Sequence, residues 1–255
     1  MKSSIYETLH YSKNIIVSPD IDGFTCAKIM HEHLGSIVVG TYDKNILTIA
    51  DGIDPVDCLF VDCDMNAPFV SIGNHMRQQD DNMHEKSFNP NTHYQVERYG
   101  DKFPYSTAFL IAFAIEEPTT LSTKICMSYA DSTYKNAIKY YDNMHAWSTR
   151  LCHNGVLDEN VEYVLDHANY LDIDQMAIEY PKQGFVSRRK TPTNYIKDME
   201  FYLTKWQIPF LPLGNYHKFE TGFVDKNTVK RYMDDIISYA EVYTNEFSVT
   251  YKDKE

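Results

Sequence analysis

Lys13-Asn14-Ile15-Ile16-Val17-Ser18-Pro19-Asp20-Ile21-Asp22-Gly23 is the stretch on which the fold turns. Its first half is a compact β-branched run, which reads as a buried strand ended by Ser18-Pro19. Past the polar loop, Phe24, Ala27, Ile29, Met30 and Leu34 suit one face of a helix over 23–34. Ser36 to Gly40, Asp57 to Asp62 and Pro68 to Gly73 read as three further strands. Short continuous apolar strands joined through helices imply a parallel sheet covered on both faces. The expected class is α/β: a doubly wound, mainly parallel sheet with a smaller, helix-rich C-terminal region.

Residues 74–102 are polar and weakly periodic, a long loop of the kind that usually carries function. Tyr105 to Glu116 is apolar almost throughout and reads as a buried central helix, ended by Pro118. Helix or strand suits 121–130, and helices are predicted over 134–151 and 158–169. Turn formers near Tyr180 and the basic run Arg188-Arg189-Lys190 place a boundary there, dividing the chain into 1–180 and 181–255. Beyond it come a helix over 195–206, a Pro- and Gly-punctuated segment over 209–222 and an amphipathic helix from Thr228 to about Tyr243.

The 255 residues carry 24 Lys+Arg against 36 Asp+Glu, a net charge of −12. Coating DNA needs clustered cations, so general nucleic-acid binding is excluded, although bound metal ions can reverse the charge at one site. No stretch approaches the roughly 18 apolar residues that span a bilayer. The first residues lack the apolar core of a secretory signal. Five scattered cysteines without a C-x-x-C pair argue against disulfides and structural zinc, and reduced thiols point to the cytoplasm.

Chemistry is suggested by where acidic residues fall. Asp20 and Asp22 follow the first strand, Asp62 ends the third with Asp64 two residues on, and Asn74 and His75 follow the fourth. Carboxyl ends of parallel strands line one edge, where ligands bind. Carboxylates converging there would repel unless a divalent cation joined them, and oxygen and imidazole donors suit Mn²⁺ or Mg²⁺. The plainer reading is that Asp22 caps the following helix and Asp62 is an ordinary strand-end residue. Arg77 offers a planar fork to a phosphate or is a surface charge, and Arg188 and Arg189 form a phosphate patch or a solvated turn. Tyr129, Tyr134, Tyr99 and Tyr105 flank these segments as stacking candidates, whereas Tyr140 and Tyr141 fit helix packing.

Val17 to Gly23 resembles the first motif of the DHH phosphoesterases, D-x-D-G after the first strand. Leu59-Phe60-Val61-Asp62 resembles their second motif, and Gly73-Asn74-His75 lies where the naming Asp-His-His triplet would be. Tyr105 to Leu110 is similar to their small-residue-rich helix, and Tyr129-Ala130-Asp131-Ser132-Thr133 to their fourth motif. The order agrees over roughly residues 13–150.

This resemblance implies a metal-dependent hydrolase of phosphodiesters using Mn²⁺ or Mg²⁺, one or two ions. Its substrate would be a nucleotide, a short or single-stranded nucleic acid, or a cyclic dinucleotide. Asp20 would hold one metal and Asp22 the other, Asp62 would bridge them and Asp131 would complete the second site. Asn74 would be a weaker ligand and His75 the catalytic group beside the phosphate. The triplet has lost its Asp and its first His, so a catalytically impaired protein that binds a nucleotide or a protein partner is the alternative.

Overall fold

The computed structural model describes residues 2–11, 13–77, 82–115, 120–151, 166 and 185–253. Helix α1 (Lys2–Leu9) leads into β1 (Asn14–Val17), α2 (Ile21–Leu34), β2 (Ile37–Tyr42) and β3 (Ile46–Ala50). β4 (Leu59–Val61) and β5 (Val70–Ile72) follow, then α3 (Pro90–His93), α4 (Thr107–Ile115), α5 (Leu121–Tyr129), α6 (Thr133–Lys139) and α7 (Tyr141–Leu151). The described residues from 185 onward form α8 (Pro192–Lys205), β6 (Leu213–Lys218), β7 (Thr221–Asp225), α9 (Lys226–Arg231), β8 (Ile236–Tyr243) and β9 (Glu246–Tyr251).

The main sheet has six strands in the order β5-β4-β1-β2-β3-β6. β5, β4, β1 and β2 are mutually parallel, while β3 pairs antiparallel with both β2 and β6. The four strands read from the sequence are therefore present, in a mostly parallel sheet. Alternation sorts their side chains: Ile15, Val17, Leu59, Val61, Val70 and Ile72 enter one apolar cluster, and Ile16 and Phe60 the opposite one.

The first cluster is roofed by helices, with Ile5, Phe24, Met30, Leu110, Trp147 and Leu203 among its members. The second is closed by Ile237 of β8 with Phe69 and Phe219 packed against it. Among the described residues, then, helices cover one face and a second sheet, in the order β7-β9-β8, covers the other. The α/β class with a mostly parallel sheet is therefore present, with the small sheet, among the described residues, lying against the face opposite the helices. Tyr42 Oη pairs with Ser238 Oγ at 2.6 Å, and Asn66 Nδ2 donates to Ile236 O at 2.8 Å, fixing the small sheet in place.

The C-terminal region is not helix-rich. The helix predicted from Thr228 to Tyr243 is the short α9 followed by β8. Val229, Met233, Ile236, Ile237 and Ala240 fall at helical intervals, but the run from Ile236 is β-branched and aromatic and is buried from 236 to 240. Thr244-Asn245 then closes a two-residue hairpin to β9, with Asn245 at φ 61. The single helix predicted over 134–151 is broken at Tyr140, where φ is −128. The helix predicted over 158–169 lies, Asp166 apart, outside the described residues, as does the boundary near 180. On its far side Phe185, Tyr195, Leu203 and Leu213 belong to the same core as α2 and α4.

Candidate metal centre

The site is built on the carboxyl edge of the sheet, from the ends of β1, β4 and β5. Asp20 caps α2, accepting from Gly23 N–H at 3.1 Å and from Ser18 Oγ–H at 2.9 Å. Asp22 therefore lies inside the first turn, buried. It caps a different helix: Thr107 N–H and Ala108 N–H, at the start of α4, donate to its two oxygens at 2.8 and 2.9 Å. Asp62 sits just past β4 at φ 57, receiving Thr107 Oγ1–H at 2.7 Å, with Ser18 Oγ, which it shares with Asp20, 2.5 Å from its other oxygen. Asp131 and Ser132 follow α5 at φ 49 and 57, a double left-handed turn. Such backbone costs about 1–3 kcal/mol per residue and persists where the surroundings impose it, typically at functional sites.

Asp22, Asp62 and Asp131 each present an oxygen within 4.8 Å of the other two. Asn74 joins them, its Nδ2 donating to Asp131 at 2.5 Å and to Tyr105 O at 2.9 Å. Asn74 Oδ1 is buried with no hydrogen-bond partner. The three carboxylates form an oxygen donor set that a hard divalent cation completes; Asn74 faces Asp131 with its nitrogen, so its oxygen would join them once the amide turns over. Asp22, Asp62 and Asp131 thus come together, with Asn74 against Asp131, while Asp20, expected to hold one metal, is the N-cap of α2 and lies beside the trio.

Burial, and then the charges of the neighbouring aspartates, push the Asp62 carboxyl well above its usual range. Asp22 is raised likewise, by burial, Asp131 and Asp20. Without metal the folded protein keeps protons there that the unfolded chain releases. These groups therefore stabilise the fold below the ordinary carboxylate range and lose that contribution as pH rises through their folded values. A cation displaces the held protons, so Mn²⁺ uptake is expected to release them and to tighten as pH rises. Calorimetry in two buffers of different ionisation enthalpy checks this, and equal heats in both would contradict it.

His75, 27% exposed in its side chain, opens on a recess of about 90 Å³ shared with Asp131, Lys102 and Asn136. Its Nδ1 meets Asp64 Oδ2 at 2.9 Å. Burial works against the Asp64 charge, but His75, Arg77 and Asn89 outweigh it and hold that carboxyl below its usual range. Asp64 is visible in the sequence at a strand end but carries no assigned role there, and no motif points to Asn89 and Asn91. Asn89 Nδ2 donates to Asp64 at 2.6 Å and Asn91 Nδ2 to Asn74 O at 2.7 Å, pinning the expected loop.

The arginines stand elsewhere. Arg77 is buried, donating to Asn66 Oδ1 at 2.7 Å and lying 4.4 Å from the Tyr239 ring centroid, so it braces the small sheet. Arg188 pairs with Asp43 at 2.9 Å, beyond the end of β2, with Arg189 exposed beside it. Phe185 N–H, bonded to Pro19 O at 2.8 Å, ties this basic segment to the loop carrying Asp20. Tyr129 and Tyr134 are buried, with their rings stacked on each other, and Tyr105 is buried in the core. Tyr140 and Tyr141, read as packing residues, are instead 46% and 53% exposed.

No protein-family model and no curated protein matches this chain. Among solved structures it is similar to the crystal structure of RecJ in complex with Mg²⁺ from Thermus thermophilus, at 12% identity and a TM-score of 0.29. The alignment takes in 98% of this chain and 49% of that one, so the chain spans about half of RecJ's length. So loose a likeness decides neither fold nor chemistry. Among the described residues, no helix is long and apolar enough to cross a membrane.

Proposed function

We propose that the chain is a divalent-metal-dependent phosphoesterase that hydrolyses phosphodiester bonds in short or single-stranded nucleic acid. The observation that carries this is the meeting of Asp22, Asp62 and Asp131 beside a histidine bonded to a carboxylate. A cation bound there supplies Lewis acidity toward a phosphoryl oxygen and makes water a stronger nucleophile. Mg²⁺ and Mn²⁺ both fit the oxygen donors. Ser18 and Thr107 hydroxyls hold Asp62 in place, and the α4 backbone holds Asp22. Doubly protonated, with its Nδ1–H held by Asp64, His75 is placed to give its Nε2 proton to the leaving oxygen. Lys102 lines the same recess and offsets phosphate charge.

A linear strand fits better than a cyclic dinucleotide. α6 begins two residues past Asp131, and its Asn136 lines the recess while Lys139, one turn on, lines a groove with Tyr140, Tyr141, Asn143 and Arg150. Seven helical residues reach roughly 10 Å, beyond the span of a ligand confined to the recess. Exposed rings beside cations are stacking platforms for bases. Labelled oligothymidylate and a cyclic dinucleotide, each with Mn²⁺, test this. The double variant Tyr140→Ala/Tyr141→Ala is expected to raise KM for the oligonucleotide about tenfold or more, since each stacked base contributes about 1–3 kcal/mol. Failure to cleave either substrate would remove the hydrolase reading.

The second reading, a binding protein without turnover, is favoured by one observation. The three carboxylates already receive protein donors, including Asn74 Nδ2 where the resembling family carries a histidine. Tight nucleotide binding in the presence of a chelator, with no turnover after Mn²⁺ is restored, would establish it.

A further inference from the structure

We propose that Asp64 is the positioning residue of His75, and that positions 64 and 73 share room for a single carboxylate, which this chain carries at 64. The role given to His75 rests on the hydrolase reading; the geometry does not. Asp64 is 7% exposed and grips residue 75 at both ends. Its Oδ2 accepts from His75 Nδ1–H at 2.9 Å and from the His75 backbone N–H at 3.3 Å. Its Oδ1 accepts from Asn89 Nδ2–H at 2.6 Å, and the same amide reaches His75 O at 2.8 Å. An ionised carboxylate only accepts, so the proton between them sits on Nδ1, and Nε2 is the ring nitrogen left for the recess.

The second observation is steric. A Cβ on Gly73 would lie 2.6 Å from Asp64 Oδ1 and 2.8 Å from both Cγ and Oδ2. A side chain at 73 would therefore enter the volume that the Asp64 carboxylate fills. An aspartate at 73 and an aspartate at 64 exclude each other, while either alone would set one carboxylate near His75. Glycine at 73 is what allows the distant residue 64, on the other side of β5, to do this work.

Four proteins decide it: Asp64→Asn, Gly73→Asp, the exchange Asp64→Gly/Gly73→Asp, and the unaltered chain. Gly73→Asp alone is expected to unfold early and lose activity. The exchange is expected to recover both stability and a large share of turnover. Asp64→Asn, which keeps the shape, is expected to lower kcat about 10–100-fold with KM little changed, the usual scale for groups that orient a reacting residue from behind. Nitrogen NMR of His75 reads the geometry without any substrate: the Nδ1–H tautomer in the unaltered chain, and a mixture in Asp64→Asn. Absent turnover in all four would sink the hydrolase reading alone, because the tautomer and the stability of the exchange still judge the shared carboxylate. A Gly73→Asp protein as stable as the original, an exchange no better than Gly73→Asp, or a neutral ring with its proton on Nε2 and Nδ1 bare would overturn the proposal.

Discussion

Asp62→Asn is expected to lower Mn²⁺ affinity by about a hundredfold or more, to abolish turnover, and to raise the melting temperature of the metal-free protein. The first two effects follow from its central place: its carboxylate lies with those of Asp22 and Asp131, and both its oxygens are aimed by hydroxyls. Losing a residue that merely supports a ligand costs about 10–100-fold, so removing a ligand costs at least the upper end of that range. The third effect has the opposite sign and the same cause. Burial and three neighbouring aspartates push the Asp62 carboxyl well above its usual range, which means that its ionised form is held at a cost when no cation is present. Asparagine keeps the shape and removes the charge, and Ser18 and Thr107 hydroxyls rotate to suit it. In a chain this long each kcal/mol relieved is worth about 2–4 °C. Thermal scans with and without Mn²⁺ check both signs. A variant less stable than the original in both conditions would show that Asp62 is a structural residue.

Gly23→Ala is expected to be the most damaging glycine-to-alanine change among the described residues. A Cβ there would lie 2.2 Å from Ser18 O, 2.3 Å from Ser18 Oγ and 2.8 Å from Ser18 N. Two of those atoms are backbone at the exit of β1 and cannot swing aside, so the strand-to-helix turn itself must open. Overpacking of a close-packed interior costs typically 1–3 kcal/mol, and a clash with backbone belongs at or above the top of that range. A loss of about 3 kcal/mol is roughly 6–12 °C. The same shift displaces Ser18 Oγ, which holds Asp20 and Asp62 together, so Mn²⁺ affinity should fall with stability. Gly100→Ala is the control, since nothing lies within 4 Å of its added carbon. Equal melting temperatures for the two variants would contradict the packing described for this turn.

The legible parts of this fold are those in which one period speaks alone. β1, β4 and β5 are short apolar runs with no helical reading of comparable quality, and α2 has its apolar face and ends at Gly35, φ 70. β8 reads as helix because its apolar residues satisfy both periods until the partner strand β9 is known. β3, the apolar and β-branched run Ile46-Leu47-Thr48-Ile49-Ala50, carries a strand signal that the expected four strands omit, whereas β6 is a mostly exposed edge strand with little apolar pattern. In the site, Asp22 and Asp62 are legible from strand ends, because topology carries such positions to one edge. Asp131 is legible only through a resemblance, since nothing local announces a double left-handed turn at Asp131-Ser132. The division of labour between Asp20 and Asp22 is not readable: both stand near a helix start, and which one caps α2 depends on where α4 places its free N–H groups. Asp64 needs the missing side chain at Gly73, a fact that lives in three dimensions.

The most direct measurement is anomalous scattering from crystals soaked in Mn²⁺. A peak enclosed by Asp22, Asp62 and Asp131, with Asn74 Oδ1 turned toward it, is the expected result. A map with no peak among those three aspartates, or with Asp131 directed away from the other two, would contradict the metal centre and the hydrolase built on it.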